Sequence, residues 1–230
     1  MKDKKNERRA GFYWFDDVPY ISVTTALKCI DKPALRYWFG REVYYAMAKD
    51  PTLDEKTALS APYKKKVKAG ARGSTVHSIV EAWKKEGTRI DKLPEEYQGY
   101  AQAFYNWVDD NKVELKEHEK TVISKTHRYA GTLDLIVKKN GSTWIIDVKT
   151  GKDIYLEAYL QLSAYKHALE EDYGTKIQRM GVLLLKDDGN YKFEESSDNF
   201  DVFIAVKKLW EFLNKDICEK VEYKGGEQDE

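Results

Sequence analysis

The stretch TLDLIVKKNGSTWIIDVKT, residues 132–150, constrains the fold more than any other part of the chain. Two apolar runs flank Asn140-Gly141, and that dipeptide is a strong hairpin signal because a two-residue type I′ turn needs positive φ at both central positions. With these two residues as the turn, Lys139 faces Ser142. Counting outward sets Asp134 directly opposite Asp147 on one face of the sheet, Cβ atoms about 5 Å apart. Lys149, two residues beyond Asp147, shares that face because strand side chains alternate with period two. Ile136 and Ile145 fall on the aspartate face, while Leu133, Leu135, Val137, Trp144, Ile146 and Val148 fill the other, so neither face reads as open water. Like charges set opposite each other destabilise a sheet. Either this face is solvated and tolerates the pair, or a cation sits between the carboxylates.

Upstream, apolar residues recur at three- and four-residue spacing over residues 23–30, 34–48, roughly 63–86 and 95–111, with Pro33, Pro51, Pro62 and Pro94 at the boundaries. These are expected helices. FYWFDDVPYIS reads as two short strands around Asp16-Asp17, and the basic run at residues 2–9 as a loose arm. From about residue 116 the period becomes two: EKTVISKT, YAGTLDLIVKK and STWIIDVKT are successive strands. Residues 155–171 return to a helical period, RMGVLLLK and NYKFEE form a further strand and an edge strand, and DVFIAVKKLWEFLNK closes as one amphipathic helix before a frayed KGGEQDE tail. Three strands, a crossover helix and another strand predict an α/β (α+β) fold, a mixed sheet with helices packed on it. One domain is expected over 1–230: an N-terminal hairpin and helices (1–112), the sheet and crossover helix (113–197), and a C-terminal helix with its tail (198–230).

Charge balance decides little, because 39 basic and 39 acidic side chains cancel and any attraction to nucleic acid or membrane must be local. Cys29 and Cys218 stand far apart with no C-x-x-C or Cys/His spacing, so neither a disulfide framework nor a zinc or iron-sulfur ligand set is expected. The N-terminus lacks a signal-peptide stretch and no run approaches the ~20 apolar residues of a membrane helix. A cytoplasmic location without membrane partners is the expectation.

Mg²⁺ and Mn²⁺ favour oxygen ligands and often use only one or two protein carboxylates. A hard cation between Asp134 and Asp147, with the Lys149 ammonium beside it, suits phosphodiester hydrolysis. The metal lowers the pKa of a bound water and neutralises charge developing on phosphorus, while the lysine orients the nucleophile or adds positive charge.

Four short elements occur in order along the chain: GSTVHSIVE with Gly73, His77 and Glu81; GTLD with Gly131 and Asp134; DVK with Asp147 and Lys149; QLSAY with Gln161 and Tyr165. Together they resemble the PD-(D/E)XK nuclease superfamily, specifically its RecB-like exonuclease branch, with the pattern G-x-x-x-H-x-x-x-E, G-x-x-D, D-x-K and Q-x-x-x-Y. The resemblance spans roughly residues 70–185 and implies a restriction-endonuclease-like αβββαβ core with a mixed central sheet. ISVTTALKCIDKPALRYW, residues 21–38, is similar to a segment of phage RecB-like proteins and of the mitochondrial genome maintenance exonuclease group, which processes single-stranded DNA ends. The iron-sulfur cluster of some relatives needs four cysteines, and two exclude it.

The resemblance implies Mg²⁺ or Mn²⁺ held by His77, Asp134, Asp147 and the backbone carbonyl of Val148, with Lys149 assisting the attacking water. It brings Gln161 toward the site and the DNA backbone, and leaves Glu119 as an accessory acid in the first strand. Glu81, one helical turn after His77, either steers the imidazole or holds a metal-bound water, or makes a plain helical ion pair. Tyr165 either packs or joins the site. Lys64, Lys65, Lys66, Lys68 and Arg72 lead straight into His77; they are a solvated helix face, or they supply phosphate contacts at the mouth of the site. Aromatics of the N-terminal half, among them Tyr13, Trp14, Tyr37 and Trp38, suit stacking on unpaired bases. The implied activity is hydrolysis at DNA ends, with single-strand preference, in bacterial or phage recombination, replication or repair. The alternatives are a structure-specific endonuclease of the same chemistry and a non-catalytic DNA-binding or assembly module; no protein partner is indicated.

Overall fold

The computed structural model describes residues 7–86 and 93–222. The basic run as far as residue 6 and the polar tail lie outside the described residues.

Asn140 and Gly141 have φ of 50° and 77°, the left-handed pair that a type I′ turn requires. They join strand β5 (Tyr129–Lys139) to strand β6 (Ser142–Lys149), and pairing runs from Lys139↔Ser142 to Leu135↔Ile146 in the expected register. It stops there, one residue short of the aspartates. The opposite edge of β5 carries β4 (Glu114–Ser124) along its length, from Glu114↔Lys138 to Ser124↔Tyr129.

The N-terminal hairpin consists of β2 (Phe12–Phe15) and β3 (Val18–Ser22), turned at Asp16 and Asp17 with φ of 51° and 63°. Part of the expected loose arm is instead a strand, β1 (Glu7–Arg9), paired with β2. The aromatic strand gives those arginines a surface: Arg8 lies over the Tyr13 ring and Arg9 over Trp14, at 5.4 and 5.0 Å. β3 then runs parallel to β5 at only two positions, Ile21↔Tyr129 and Ser22↔Ala130. Because β4 occupies the other edge, β3 and β6 share one edge of β5 and leave a fork between them at Gly131–Asp134. Beyond β6 the eight-stranded mixed sheet continues through β7 (Arg179–Leu185), parallel to β6, and β8 (Tyr191–Ser196), antiparallel to β7.

Helix α1 (Val23–Ala26) is capped by the Ser22 side chain and leads through a 3₁₀ turn to α2 (Pro33–Lys49). Next come α3 (Glu55–Glu86), α4 (Glu95–Asn111), α5 (Leu156–Tyr173), α6 (Phe200–Leu213) and α7 (Lys215–Lys220). The run α4, β4, β5, β6, α5, β7 is the expected αβββαβ core. Two boundaries differ from expectation. Pro62 lies inside α3 rather than at its start, because Asp54 begins the helix earlier: its carboxylate accepts from Thr57 N and Thr57 Oγ1 at 3.0 and 2.6 Å. The last helix breaks at Asn214, whose Nδ2 donates to the Trp210 carbonyl at 2.8 Å and so satisfies the end of α6.

The sheet is buried on both faces. Ile136, Ile145 and Val182 pack with Leu162, Tyr165 and Phe203 under α5 and α6; Leu135, Val137, Trp144 and Ile146 pack with Ile79, Phe104 and Trp107 under α3 and α4. Burying each such side chain stabilises the fold by about 1.5–3 kcal/mol. Leu133 departs from the expected alternation: it packs in the α5 layer with Ile136. The period-two pattern therefore slips at Asp134, where β6 pairing has already ended.

Candidate active site

The slip and the fork coincide at one carboxylate. Asp134 Oδ2 accepts the Val148 backbone N–H at 2.7 Å, so a side chain bridges the two strands where the ladder has stopped. Asp147 follows on β6 at 1% exposure. Lys149 Nζ lies 2.6 Å from Asp147 Oδ2 and forms an ion pair with this buried carboxylate, whose oxygens have no further hydrogen-bond partner among the described residues. A carboxylate held by one ammonium keeps acceptor capacity for a further cation or donor.

Electrostatics point the same way. Burial, with the Asp147 charge second, pushes the Asp134 carboxyl up to about 8, against the pull of Lys149 and the Val148 N–H. Two carboxylates in one desolvated place resist joint ionisation. For Lys149, burial is the largest influence and favours the neutral amine, yet Asp147 and Asp134 together hold its pKa above the ordinary value. It is an ammonium at neutral pH.

His77 reaches this place from α3, its Nδ1 3.9 Å from Asp134 Oδ1 and 3.7 Å from Glu119 Oε1. Burial lowers its pKa, and the carboxylates Glu119 and Asp147 oppose that shift. A neutral imidazole is a competent metal ligand. From the α5 side, Gln161 accepts from Lys149 Nζ at 3.4 Å and donates to Tyr165 Oη at 2.9 Å. Tyr165 is 3% exposed, and burial, then Asp134 and Asp147, hold its phenol well above the usual range. Its ring lies so close to Gly131 that a Cβ there would sit 2.3 Å from Cε1. That contact explains the glycine of GTLD and makes Tyr165 a packing residue that also orients Gln161. Gly73 differs, since a methyl there would meet nothing within 4 Å. Glu81 is half-buried one turn beyond His77 on α3.

The basic run is split. Lys64, Lys65, Lys66 and Lys68 are exposed on α3, but Lys65 forms an ion pair with the buried Glu42 of α2. Arg72 is tied to the site's edge, its Nε donating to Thr150 Oγ1 at 3.4 Å and its guanidinium lying over Tyr100. Lys66 lines a cleft of about 620 Å³ together with Lys28, Lys32, Arg36, Glu157 and Gln161. The sequence alone did not single out Lys28, Lys32 or Arg36; their charges are mixed with Asp31 in a segment whose facing partner, α5, is more than a hundred residues away.

A family model for the PD-(D/E)XK nuclease superfamily matches residues 112–225. The chain belongs to the PD-(D/E)XK nuclease superfamily. Among solved structures it is similar to a provisionally named exonuclease from Eubacterium rectale, at 16% identity over 88% of this chain and 81% of that one, TM-score 0.48. It is also similar to the alkaline exonuclease of Laribacter hongkongensis, at 11% identity over 65% of this chain and 81% of that one, TM-score 0.40. No curated protein matches its sequence significantly.

PD-(D/E)XK nucleases generally use divalent metal ions, and the donor set suits one. Beyond the Lys149 ammonium the Asp147 oxygens have no hydrogen-bond partner, burial and the Asp147 charge hold Asp134 back from ionising, and the 3.9 Å between His77 Nδ1 and Asp134 Oδ1 leaves room for an ion bound to both. Among the described residues no group of three or more His, Cys, Asp or Glu side chains is placed to hold a metal ion by itself. Mg²⁺ does not demand one, since it usually retains several waters and takes one or two carboxylates. Cys29 and Cys218 are both free thiols. Among the described residues no helix is long and apolar enough to cross a membrane.

Proposed function

We propose that this PD-(D/E)XK protein is a Mg²⁺- or Mn²⁺-dependent DNA exonuclease of the RecB-like branch, acting at DNA ends with preference for single strands. The observation that carries the reading is the buried Asp147 carboxylate paired with the Lys149 ammonium, next to Asp134 and with His77 3.9 Å from Asp134 on the α3 side. When bound, a divalent cation supplies charge neutralisation at the phosphate and a water of lowered pKa. Asp134, Asp147, His77 and the Val148 carbonyl are the groups we assign to hold it.

The chain's own residues do the rest. Lys149, kept charged by its two acidic neighbours, places a fixed positive charge where the phosphorane develops negative charge and orients the attacking water. Gln161, held by Tyr165 and touching Lys149, positions the phosphodiester. The cleft with Lys28, Lys66 and Gln161 supports a strand entering from the α2 side, and Arg72, bonded to Thr150 next to Lys149, is a further cation for it. Bacterial or phage recombination, replication or repair, in the cytoplasm, is the setting we assign.

The test is cleavage of end-labelled linear and circular DNA, single- and double-stranded, with Mn²⁺, Mg²⁺ or chelator. Wild type should degrade linear single strands only with metal, and Lys149→Ala and Asp134→Ala should lose activity by about 10²-fold or more while retaining the native circular dichroism spectrum. Cleavage of circular DNA would replace the exonuclease reading with an endonuclease. Undiminished activity in both variants would end the hydrolytic assignment.

A further inference from the structure

Helix α6 is apolar on two sides. Its inner face meets the rest of the chain: Phe203 packs edge-on against Tyr129 and Trp210 against Phe12, and Phe203, Lys207 and Trp210 are buried. A helix covered on one side only is ordinarily polar on the other. Instead Val202, Leu209, Phe212 and Leu213 stand 49–64% exposed, and Ala205 is exposed between them. Single exposed apolar residues need no explanation, but a contiguous stripe marks a contact surface. Val202, Ala205, Leu209 and Phe212 are spaced three, four and three residues apart, the spacing of a two-helix coiled-coil seam.

The order of sizes along the seam says what covers it. With a second α6 laid antiparallel about a twofold axis at the level of Lys207, Val202 of each copy faces Phe212 of the other and Ala205 faces Leu209. Every layer then sets a smaller side chain against a larger one, and one patch serves both copies. Charges match as well. The exposed Asp201 adjoins Val202, and the exposed Lys215, first residue of α7, holds its Nζ 4.7 Å from the Phe212 ring, so each end of the seam brings an acid of one copy to an ammonium of the other. Lys208 flanks the axis on both copies, where its stem covers the seam and its head stays in water. A parallel pair would instead oppose Phe212 to Phe212 and Asp201 to Asp201.

We propose that the outer face of α6 is the interface of a homodimer in which two copies of this chain pack their α6 helices antiparallel. This surface is separate from the candidate active site and does not depend on the nuclease reading. Two short helices bury an area at the small end of specific interfaces, which sets the dissociation constant in roughly the micromolar range.

The test is sedimentation velocity of the full chain, free of DNA, from about 1 to 200 µM, for wild type, Leu209→Glu, Asp201→Lys and the double variant Asp201→Lys/Lys215→Asp. Leu209 and Asp201 are exposed, so the circular dichroism spectra of the variants should match wild type. Wild type should pass from monomer to dimer across this range, and Leu209→Glu should weaken association at least about thirtyfold. Asp201→Lys should weaken it too, and adding Lys215→Asp should restore it. A wild type that stays monomeric at every concentration overturns the proposal and leaves the stripe to a different protein. A dimer that Leu209→Glu does not weaken overturns it by placing the contact elsewhere. A double variant no better than Asp201→Lys overturns the antiparallel register.

Discussion

Asp134 is the residue on which most of the site's energetics meet. Its carboxyl, pushed up to about 8 by burial and by Asp147, binds its proton more tightly in the folded chain than in the unfolded one, where the value is about 3.9. The resulting stabilisation is fully present below about pH 4 and is lost as pH rises through about 8. In chelator, wild-type melting temperature should therefore fall from pH 4 to 8, and Asp134→Asn should flatten that decline and melt above wild type at pH 8; parallel curves would refute the assignment. Gly131 is the second decisive residue. A methyl there would drive into the Tyr165 ring, so Gly131→Ala should cost about 1–3 kcal/mol in urea unfolding and, by displacing Tyr165, release Gln161. Neither effect was legible in the sequence: GTLD marks the glycine, but only the packed helix shows which ring needs its bare face.

At the scale of elements, α3 carries both the exposed lysine run and His77. Its exposed lysines and the half-buried His77 lie on one continuous helix, so the basic face and the imidazole beside Asp134 are carried by one element. Lys64→Ala, Lys66→Ala and Lys68→Ala combined should weaken single-stranded DNA binding strongly at 50 mM salt and little at 300 mM, about one unit of log–log salt slope vanishing per phosphate contact removed. An equal loss at both salts would count against a phosphate-contact role. Lys65 is left out because Glu42 already holds it. The helical period located this element, but its start was misplaced at Pro62, since a proline usually marks a boundary and the Asp54 cap that begins the helix is a weaker sequence signal. The hairpin was read more fully: Asn140-Gly141 gave the register because turn geometry is a local property of two residues.

The molecule as a whole is organised around the fork where β3 and β6 part along β5. A cation held there by Asp134, Asp147 and His77 would tie β5, β6 and α3 together, so metal binding should stabilise the fold. At a hundredfold excess over its dissociation constant, Mn²⁺ is expected to add about 2.7 kcal/mol, read as a rise in melting temperature that chelator reverses and that Asp147→Asn abolishes. An unchanged melting point in wild type would remove the basis for metal binding.

The sequence by itself pointed to the αβββαβ order, the type I′ turn and His77, Asp134, Asp147, Lys149, Gln161 and Tyr165 as one neighbourhood. These follow from hydrophobic period, turn chemistry and a short motif, all carried within a few residues of one another. Tertiary structure alone decided that the N-terminal hairpin joins β5 and opens the fork, and that Glu119 adopts a left-handed backbone within reach of His77. Strand order and helix approach depend on packing between segments far apart in the chain, and a backbone conformation held against its own preference is specified by its surroundings rather than by the residue that adopts it.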